Sequence, residues 1–260
     1  PQKKATIISS SVAAILTLIK LALGILSGSV AVLASAIDSV LDMFVSIFNY
    51  FAILNSEKPA DKKFNYGRGK IEALALFIEG IVITISGLYL LYEAIKKAIY
   101  KETSSYLDIS IYVMIISLII TISLVIYLNS VAKKTNSMVI KADALHYKTD
   151  VLSNLAVLFS LILVHFTNME IFDVIIGVLI AFYIIYSAFS LIKKGVLVLL
   201  DASVDDDLVL KIEDILKNYP NLSNFHLLKT REAANKTFVE AHIVFNTQHI
   251  TLIEAHKICD

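Results

Sequence analysis

The sequence is poor in cysteine and in charge, and both shortages narrow the classes of protein it can be. Cys259 is its one cysteine, so the chain can form no disulfide within itself and offers no cysteine-rich metal site; we interpret this thiol as a small core residue. Charged residues make up only 18% of the chain and sum to zero net charge, which gives no indication of a nucleic-acid partner. No nucleotide-binding motif occurs either, which argues against an ATP-driven pump.

Apolar residues are what the sequence has in excess. They amount to 57% of the 260 positions, with a mean hydropathy of +0.74, and this is too apolar for a soluble domain of that length. A run of roughly 20 apolar residues is long enough to cross a bilayer. Segments of about this length lie at 5–27, 30–54, 71–95, 107–131, 142–166 and 171–195. We therefore predict an all-α bundle of six transmembrane helices over residues 1–200.

Basic residues are unevenly divided among the loops, and this predicts the orientation. Cytoplasmic loops of membrane proteins carry an excess of lysine and arginine. The excess is found before the first segment, between the second and third, between the fourth and fifth, and after the sixth: Lys3, Lys4, Lys58, Lys62, Lys63, Arg68, Lys70, Lys133, Lys134, Lys141, Lys193 and Lys194. Lys96, Lys97 and Lys101 break the pattern but are outnumbered. We expect both termini to be cytoplasmic.

A change of composition at residue 201 predicts a second domain. The acidic run Asp205–Asp207 opens an amphipathic helical pattern, and two alternating stretches at 224–231 and 237–245 follow as a β-hairpin before a second helix from Thr251. This α-β-β-α order resembles part of a ferredoxin-like fold. Because about 60 residues are few for an independent domain and the chain ends within a predicted helix, we expect a truncated α+β cytoplasmic domain over residues 201–260.

Two transmembrane segments carry ionisable pairs. Asp38 and Asp42 lie in the second segment, and His146 and Asp150 lie in the fifth; a spacing of four residues places both members on one helix face. A charged carboxylate at the bilayer centre costs roughly 2.5–3.5 kcal/mol on insertion scales, so one such residue can be a capping or pore-lining group, but two pairs indicate a functional site. Glu79 in the third segment has no explanation. Further polar residues continue the two faces: Ser35, Ser46, Asn49, Asp143 and Asn154.

If the second and fifth segments pack together, three carboxylates and one imidazole converge. Such a set suits tetrahedral zinc, with oxygen at about 2.0–2.2 Å and nitrogen at about 2.0–2.1 Å. The imidazole argues against magnesium and calcium, whereas cadmium and ferrous iron stay open. Three functions compete on these residues: a secondary transporter of the metal, a metal-gated channel and a membrane metal sensor. The channel is disfavoured because four ligands bind an ion too strongly for fast conduction.

Three stretches carry a resemblance to a known family. They are residues 28–42 (GSVAVLASAIDSVLD), residues 142–150 (ADALHYKTD), and the loop that holds Pro59-Ala60-Asp61 and the residues 66–72 (YGRGKIE). They resemble signatures of the cation diffusion facilitator family, closest to its bacterial zinc and iron efflux branch, and the likeness covers nearly the whole chain. It implies a homodimer, not an enzyme, that exports zinc or another divalent metal from the cytoplasm in exchange for protons. Its His-Asp pair is similar to the zinc and cadmium type.

The same resemblance implies candidate ligands outside the membrane. Asp61 matches one ligand of a loop site, but Phe64 and Arg68 stand where the other two would be and cannot bind metal, so we expect none to bind there. Three histidines match metal ligands of the cytoplasmic domain, although further ligands of that site would lie beyond the present chain: His226, His242 and His256.

A charge pair is also implied. Lys70 and Asp201 resemble two residues that interlock at the junction of membrane and cytoplasm, near the dimer interface. We expect them to form an ion pair there.

Overall fold

The structure, a computed structural model, describes residues 1–27, 30–100, 108–167, 171–234, 236–246 and 250–259. Some side chains within the helices also lie outside this description, among them those of residues 30–38 and 160–165, and Asp38 is one of these. Six long helices come first in the chain: α1 (Gln2–Ser27), α2 (Val30–Ser56), α3 (Lys70–Tyr100), α4 (Asp108–Thr135), α5 (Met138–Thr167) and α6 (Ile171–Leu199). Their ends lie within a few residues of the predicted segments.

Within the described part of the chain, four helices are long and apolar enough to cross a membrane, namely α1, α3, α4 and α6. The long helices α2 and α5 carry the two ionisable pairs, and their crossing stays a prediction. The helical, membrane-spanning class is thus confirmed, while the count of six crossings is not.

Neighbouring helices pair closely, and glycine permits the tightest contact. α3 packs mainly against α6, α1 against α2, and α4 against α5. A methyl group added at Gly195 of α6 would lie 2.9 Å from the carbonyl oxygen of Ala73 and 3.1 Å from the backbone of Phe77, both on α3. Since real side chains do not approach backbone so closely, the α3–α6 spacing requires glycine there.

Glu72 joins the ends of three helices at the predicted cytoplasmic side. Its carboxylate, almost fully buried, accepts hydrogen bonds from Ser56 at the end of α2 (3.2 Å), and from the hydroxyl of Ser137 (3.1 Å) and the backbone N–H of Met138 (3.2 Å) where α5 begins. The first N–H groups of a helix have no partner within the helix, so this carboxylate caps α5. It fixes α5 relative to α2 and α3.

The C-terminal part contains α7 (Asp206–Lys217), β1 (Leu222–Ala233), β2 (Lys236–Phe245) and α8 (Leu252–Cys259). The strands form an antiparallel two-stranded sheet in which His226 is opposite His242. The predicted order α-β-β-α is therefore present, and the ferredoxin-like assignment stays a prediction. No described residue of α7 is buried, and the strands expose Leu227 and Val239. The domain thus leaves much of its apolar surface uncovered.

Candidate metal centre between α2 and α5

Packing of α2 against α5 brings three of the four predicted ligands together. One ligand atom from each of Asp42, His146 and Asp150 lies within 4.8 Å of the others. The Nε2 atom of His146 is 3.0 Å from Oδ1 of Asp42 and 4.0 Å from Oδ2 of Asp150. His146 is buried, whereas the side chains of Asp42 and Asp150 are 24% and 35% exposed. The centre therefore has one buried nitrogen and two carboxylates that can be reached from outside the bundle.

These separations suit a four-coordinate ion. Bonds of about 2.1 Å at tetrahedral angles place ligand atoms about 3.4 Å apart. Small rotations of Asp42 and Asp150 would bring their oxygen atoms to that spacing from the observed 3.0 and 4.0 Å around His146. Asp38 lies one helical turn before Asp42 on α2, so its backbone is on the same face; its side chain lies outside the described residues, and its role stays a prediction.

Hydrogen bonds hold the backbone around His146 in place. The neighbouring Tyr147 shares a hydrogen bond of 2.8 Å with Ser46 of α2, one turn after Asp42. The hydroxyl of Thr149 donates to the carbonyl oxygen of His146 at 2.6 Å. Ser46, Tyr147 and Thr149 are all buried. The contact between Ser46 and Tyr147 joins α2 to α5 and so fixes the distance between the two halves of the centre, whereas the bond from Thr149 lies within α5.

Asp61 is engaged in the structure of its own loop. Its Oδ1 accepts backbone N–H bonds from Lys63 (2.9 Å) and Phe64 (2.8 Å), and its Oδ2 pairs with Arg68 at 2.6 Å. The N–H of Phe64, that of Lys63 and the charge of Arg68 hold the pKa of Asp61 below its usual value. The carboxylate therefore stabilises the turn between α2 and α3. Phe64 and Arg68, at the two neighbouring positions of the expected loop site, have no side-chain group that could bind a metal ion together with Asp61.

Lys70 and Asp201 form an ion pair of 2.9 Å between the start of α3 and the end of α6. Lys70 also donates to the carbonyl oxygen of Leu199, and Arg231 of β1 lies 3.6 Å from the second oxygen of Asp201. The hydrogen bond from Lys70, together with both positive charges, holds the pKa of Asp201 below its usual value. This junction connects the helical bundle to the sheet; its relation to a dimer interface stays a prediction.

The three cytoplasmic histidines are not one ligand set in the single chain. His226 and His242 face each other across the hairpin with ring centroids 5.2 Å apart. His256 lies on α8 and, among the described residues, does not join them in a group of three ligands. Metal binding by these residues stays a prediction that requires a further ligand or a rearrangement of α8.

One acidic residue near the centre has no explanation in the sequence. Glu79 of α3 is 1% exposed, and its Oε2 accepts a hydrogen bond of 3.2 Å from Asn49 of α2. Asn49 and Asp143 extend the polar faces of α2 and α5, but the spacing of the acids within α3 does not indicate which residues of other helices Glu79 contacts. Only the tertiary packing of α2, α3 and α5 reveals the group to which Glu79 belongs.

The long apolar helices and the cluster of metal-ligand side chains between α2 and α5 define a membrane protein with a candidate cation centre, and comparison with known proteins narrows this class. Residues 6–200 match the family described as cation efflux transmembrane domain, and residues 204–260 match the family described as cation efflux protein, cytoplasmic domain, a dimerisation domain. The chain belongs to the cation efflux family. The predicted resemblance to cation diffusion facilitators is therefore confirmed, and the protein is a membrane transporter of divalent cations.

Several relatives align over almost the whole chain. Protein p34 of Rickettsia prowazekii is 33% identical over 258 residues, which are 99% of this chain and 85% of the relative. The cation-efflux pump FieF of Serratia proteamaculans is 32% identical with the same coverage. FieF of Escherichia fergusonii is 33% identical over 257 residues, again 99% of this chain and 85% of the relative. The similarity thus includes both the helical bundle and the hairpin domain.

Proposed function

We propose that this protein is an antiporter that exports divalent transition metal ions, zinc foremost, from the cytoplasm in exchange for protons. The observation that carries the proposal is the convergence of Asp42, His146 and Asp150 within 4.8 Å between α2 and α5. Asp38, on the same face of α2, is the fourth proposed ligand. Cadmium and ferrous iron are the other ions whose ligand preferences fit one imidazole with carboxylates.

Exchange for protons follows from the chemistry of the ligands. Carboxylates and imidazole must be deprotonated to bind a metal ion, so proton and metal compete for the same atoms. With a divalent ion bound, three carboxylates and two positive charges nearly balance. When the ion leaves, the remaining negative charges repel each other in a medium of low dielectric constant, and uptake of protons relieves that repulsion.

We also propose that the protein works as a homodimer in a bacterial inner membrane, with both termini in the cytoplasm. The match to a cytoplasmic dimerisation domain supports this arrangement, as does the uncovered apolar surface of the hairpin and α7. A two-stranded sheet with two short helices is too small to be stable on its own, so we propose that a second copy of the chain covers its apolar surface.

Transport by purified protein in liposomes tests the function. Zinc should move against its own gradient when the opposite compartment is the more acidic, and a protonophore should abolish this uphill movement. Asp42→Asn should reduce the rate by about 100-fold or more, since even outer-shell changes at metal sites cost roughly 10–100-fold. Asp207→Asn, which makes the same change on the exposed helix α7, is the matched control and should transport normally.

The alternatives give different results in the same liposomes. A metal-gated channel would pass zinc only down its gradient and at a rate that does not depend on the proton gradient. A membrane metal sensor would bind zinc without transporting it. Either result, obtained with wild-type protein that binds zinc, would contradict the proposed antiport.

A further inference from the structure

A second set of buried polar side chains lies beside the candidate centre and takes no part in it. Asn49 of α2 donates from its Nδ2 atom to Oε2 of Glu79 on α3 at 3.2 Å and to Oδ1 of Asp143 on α5 at 3.4 Å. All three side chains are at most 1% exposed. One amide therefore holds two carboxylates from different helices beside each other in the interior of the bundle.

Each of these side chains keeps an oxygen atom without a hydrogen-bond partner among the described residues: Oδ1 of Asn49, Oε1 of Glu79 and Oδ2 of Asp143. A buried charge without a partner is costly, by several kcal/mol per ion even after relaxation. Two neighbouring carboxylates increase that cost through mutual repulsion. A positively charged occupant at those oxygen atoms, either a cation or a proton, would remove this cost, and the described residues donate no hydrogen bond to them.

Glu72, seven residues earlier on the same helix, shows how this fold treats a buried acid with a structural role. Both of its oxygen atoms accept hydrogen bonds, from Ser56, Ser137 and the backbone of Met138. Glu79 is buried equally well but has one oxygen satisfied and one not. The contrast indicates that the second oxygen atoms of Glu79 and Asp143, which take no part in connecting helices, are available to a ligand.

The position of the set relative to the first centre is fixed by helix geometry. Asp143 precedes His146 by one turn of α5, and Asn49 follows Asp42 by two turns of α2. Both shifts run toward the loops that carry the basic residues, which is the predicted cytoplasmic side. The set therefore lies between that side and the first centre, along the α2–α5 contact.

We infer that Glu79 and Asp143, spaced by Asn49, form a second site for a divalent cation, which the transported ion occupies between the cytoplasmic side and the first centre. Two carboxylates match the charge of one divalent ion. The donors are all oxygen, with Oε1 of Glu79 and Oδ2 of Asp143 as ligands and Oδ1 of Asn49 as a third donor. Such a site accepts hard ions, including manganese, that lack a preference for nitrogen. The inference rests on the proposed function only in making the occupant the transported ion.

Manganese binding to the purified, metal-free protein tests this site, with Mn²⁺ alone as the probe and electron paramagnetic resonance to separate bound from free ion. Glu79→Gln and Asp143→Asn should each weaken Mn²⁺ binding by roughly tenfold or more, by comparison with what outer-shell changes cost at metal sites. Glu93→Gln, the same change at a partly buried position of α3, is the matched control and should leave binding unchanged. In Asp42→Asn/Asp150→Asn protein the Mn²⁺ site should persist, which separates this inference from the proposed transport centre.

Thermal melting distinguishes a ligand site from a structural one. Because each substitution removes a buried charge and keeps the size of the side chain, metal-free Glu79→Gln and Asp143→Asn proteins should melt at or above the wild-type temperature and lose the rise that Mn²⁺ gives the wild type. Mn²⁺ binding that is unchanged by both substitutions would overturn the inference, as would two variants that both fail to fold. An effect of pH alone, without Mn²⁺ binding, would assign the site to a proton instead and also overturn it.

Discussion

We expect His146 to influence the choice of ion at the proposed centre more than any other single residue. It is the one nitrogen ligand among the three described members of the cluster, and it is buried, whereas Asp42 and Asp150 are partly exposed. Imidazole favours zinc and cadmium over manganese, whereas a carboxylate at the same place would favour harder ions. The identity of this residue should therefore set selectivity more than affinity.

His146→Asp should broaden transport toward manganese and ferrous iron. We expect the ratio of zinc to manganese uptake by vesicles to fall by about tenfold, which corresponds to about 1.4 kcal/mol of lost discrimination. His146→Gln offers a control that removes the imidazole without adding charge, and it should lower zinc transport without raising manganese transport. An unchanged zinc-to-manganese ratio in His146→Asp protein would refute the role given to the imidazole.

At the scale of the helices, hydrophobic length and periodicity made α1 to α8 and the hairpin predictable from sequence, because each depends on local pattern. The four-residue spacing likewise made the faces of α2 and α5 predictable. Two features were not. The group of Glu79 with Asn49 and Asp143 requires three helices to meet, and the pattern within any one of these helices does not show that they do. The second is the stabilisation of the α2–α3 turn by Asp61, which depends on backbone N–H groups that no side-chain pattern shows.

The pairing of α3 with α6 should depend on Gly195. Gly195→Ala would place a methyl group 2.9 Å from the Ala73 carbonyl oxygen, so one helix must move. Overpacking of this kind typically costs about 1–3 kcal/mol, and we expect a lower melting temperature in detergent. Gly177→Ala on the same helix would meet only the side chain of Ala94, at 3.1 Å, and should lower the temperature less. Equal effects of the two substitutions would show that close backbone approach is not what selects glycine at position 195.

At the scale of the whole molecule, one small junction connects the two parts of the chain. Lys70 and Asp201 pair at 2.9 Å, and Arg231 of β1 contacts the same carboxylate while its guanidinium lies 4.1 Å from the ring of Tyr66. The connection therefore combines ion pairs with a cation–π contact. It is the place at which a movement of the sheet would reach α3 and α6.

Asp201→Asn should loosen this junction and make the segment at residues 202–205 more sensitive to limited proteolysis. Lys70 and Arg231 lower the pKa of Asp201. The ion pair therefore stabilises the junction fully at pH values above the ordinary carboxyl pKa, and this stabilisation is lost only as the pH falls through the lowered pKa. Protection of the wild type should thus be constant between about pH 7 and pH 5, above the reference pKa of about 3.9. Because the pair is partly exposed, high salt should weaken it. Asp214→Asn, on α7, is the control and should be cleaved as slowly as the wild type. If the Asp201→Asn protein were also cleaved as slowly as the wild type, the ion pair would not hold this junction together.

The charges of the proposed metal ligands predict that metal binding is coupled to the release of protons. Ligands must lose protons before they bind metal, so lower pH should weaken zinc binding to the purified protein and higher pH should strengthen it. Zinc added to protein in a weak buffer should release protons, and calorimetry in buffers of different ionisation enthalpy counts them. His146→Ala should lower both the affinity and the number released, because the imidazole titrates nearest to neutral pH in its reference state. Glu93→Gln should change neither. An affinity that stays flat between about pH 6 and pH 8, the range in which histidine titrates, would refute the antiport mechanism even with the ligands assigned correctly.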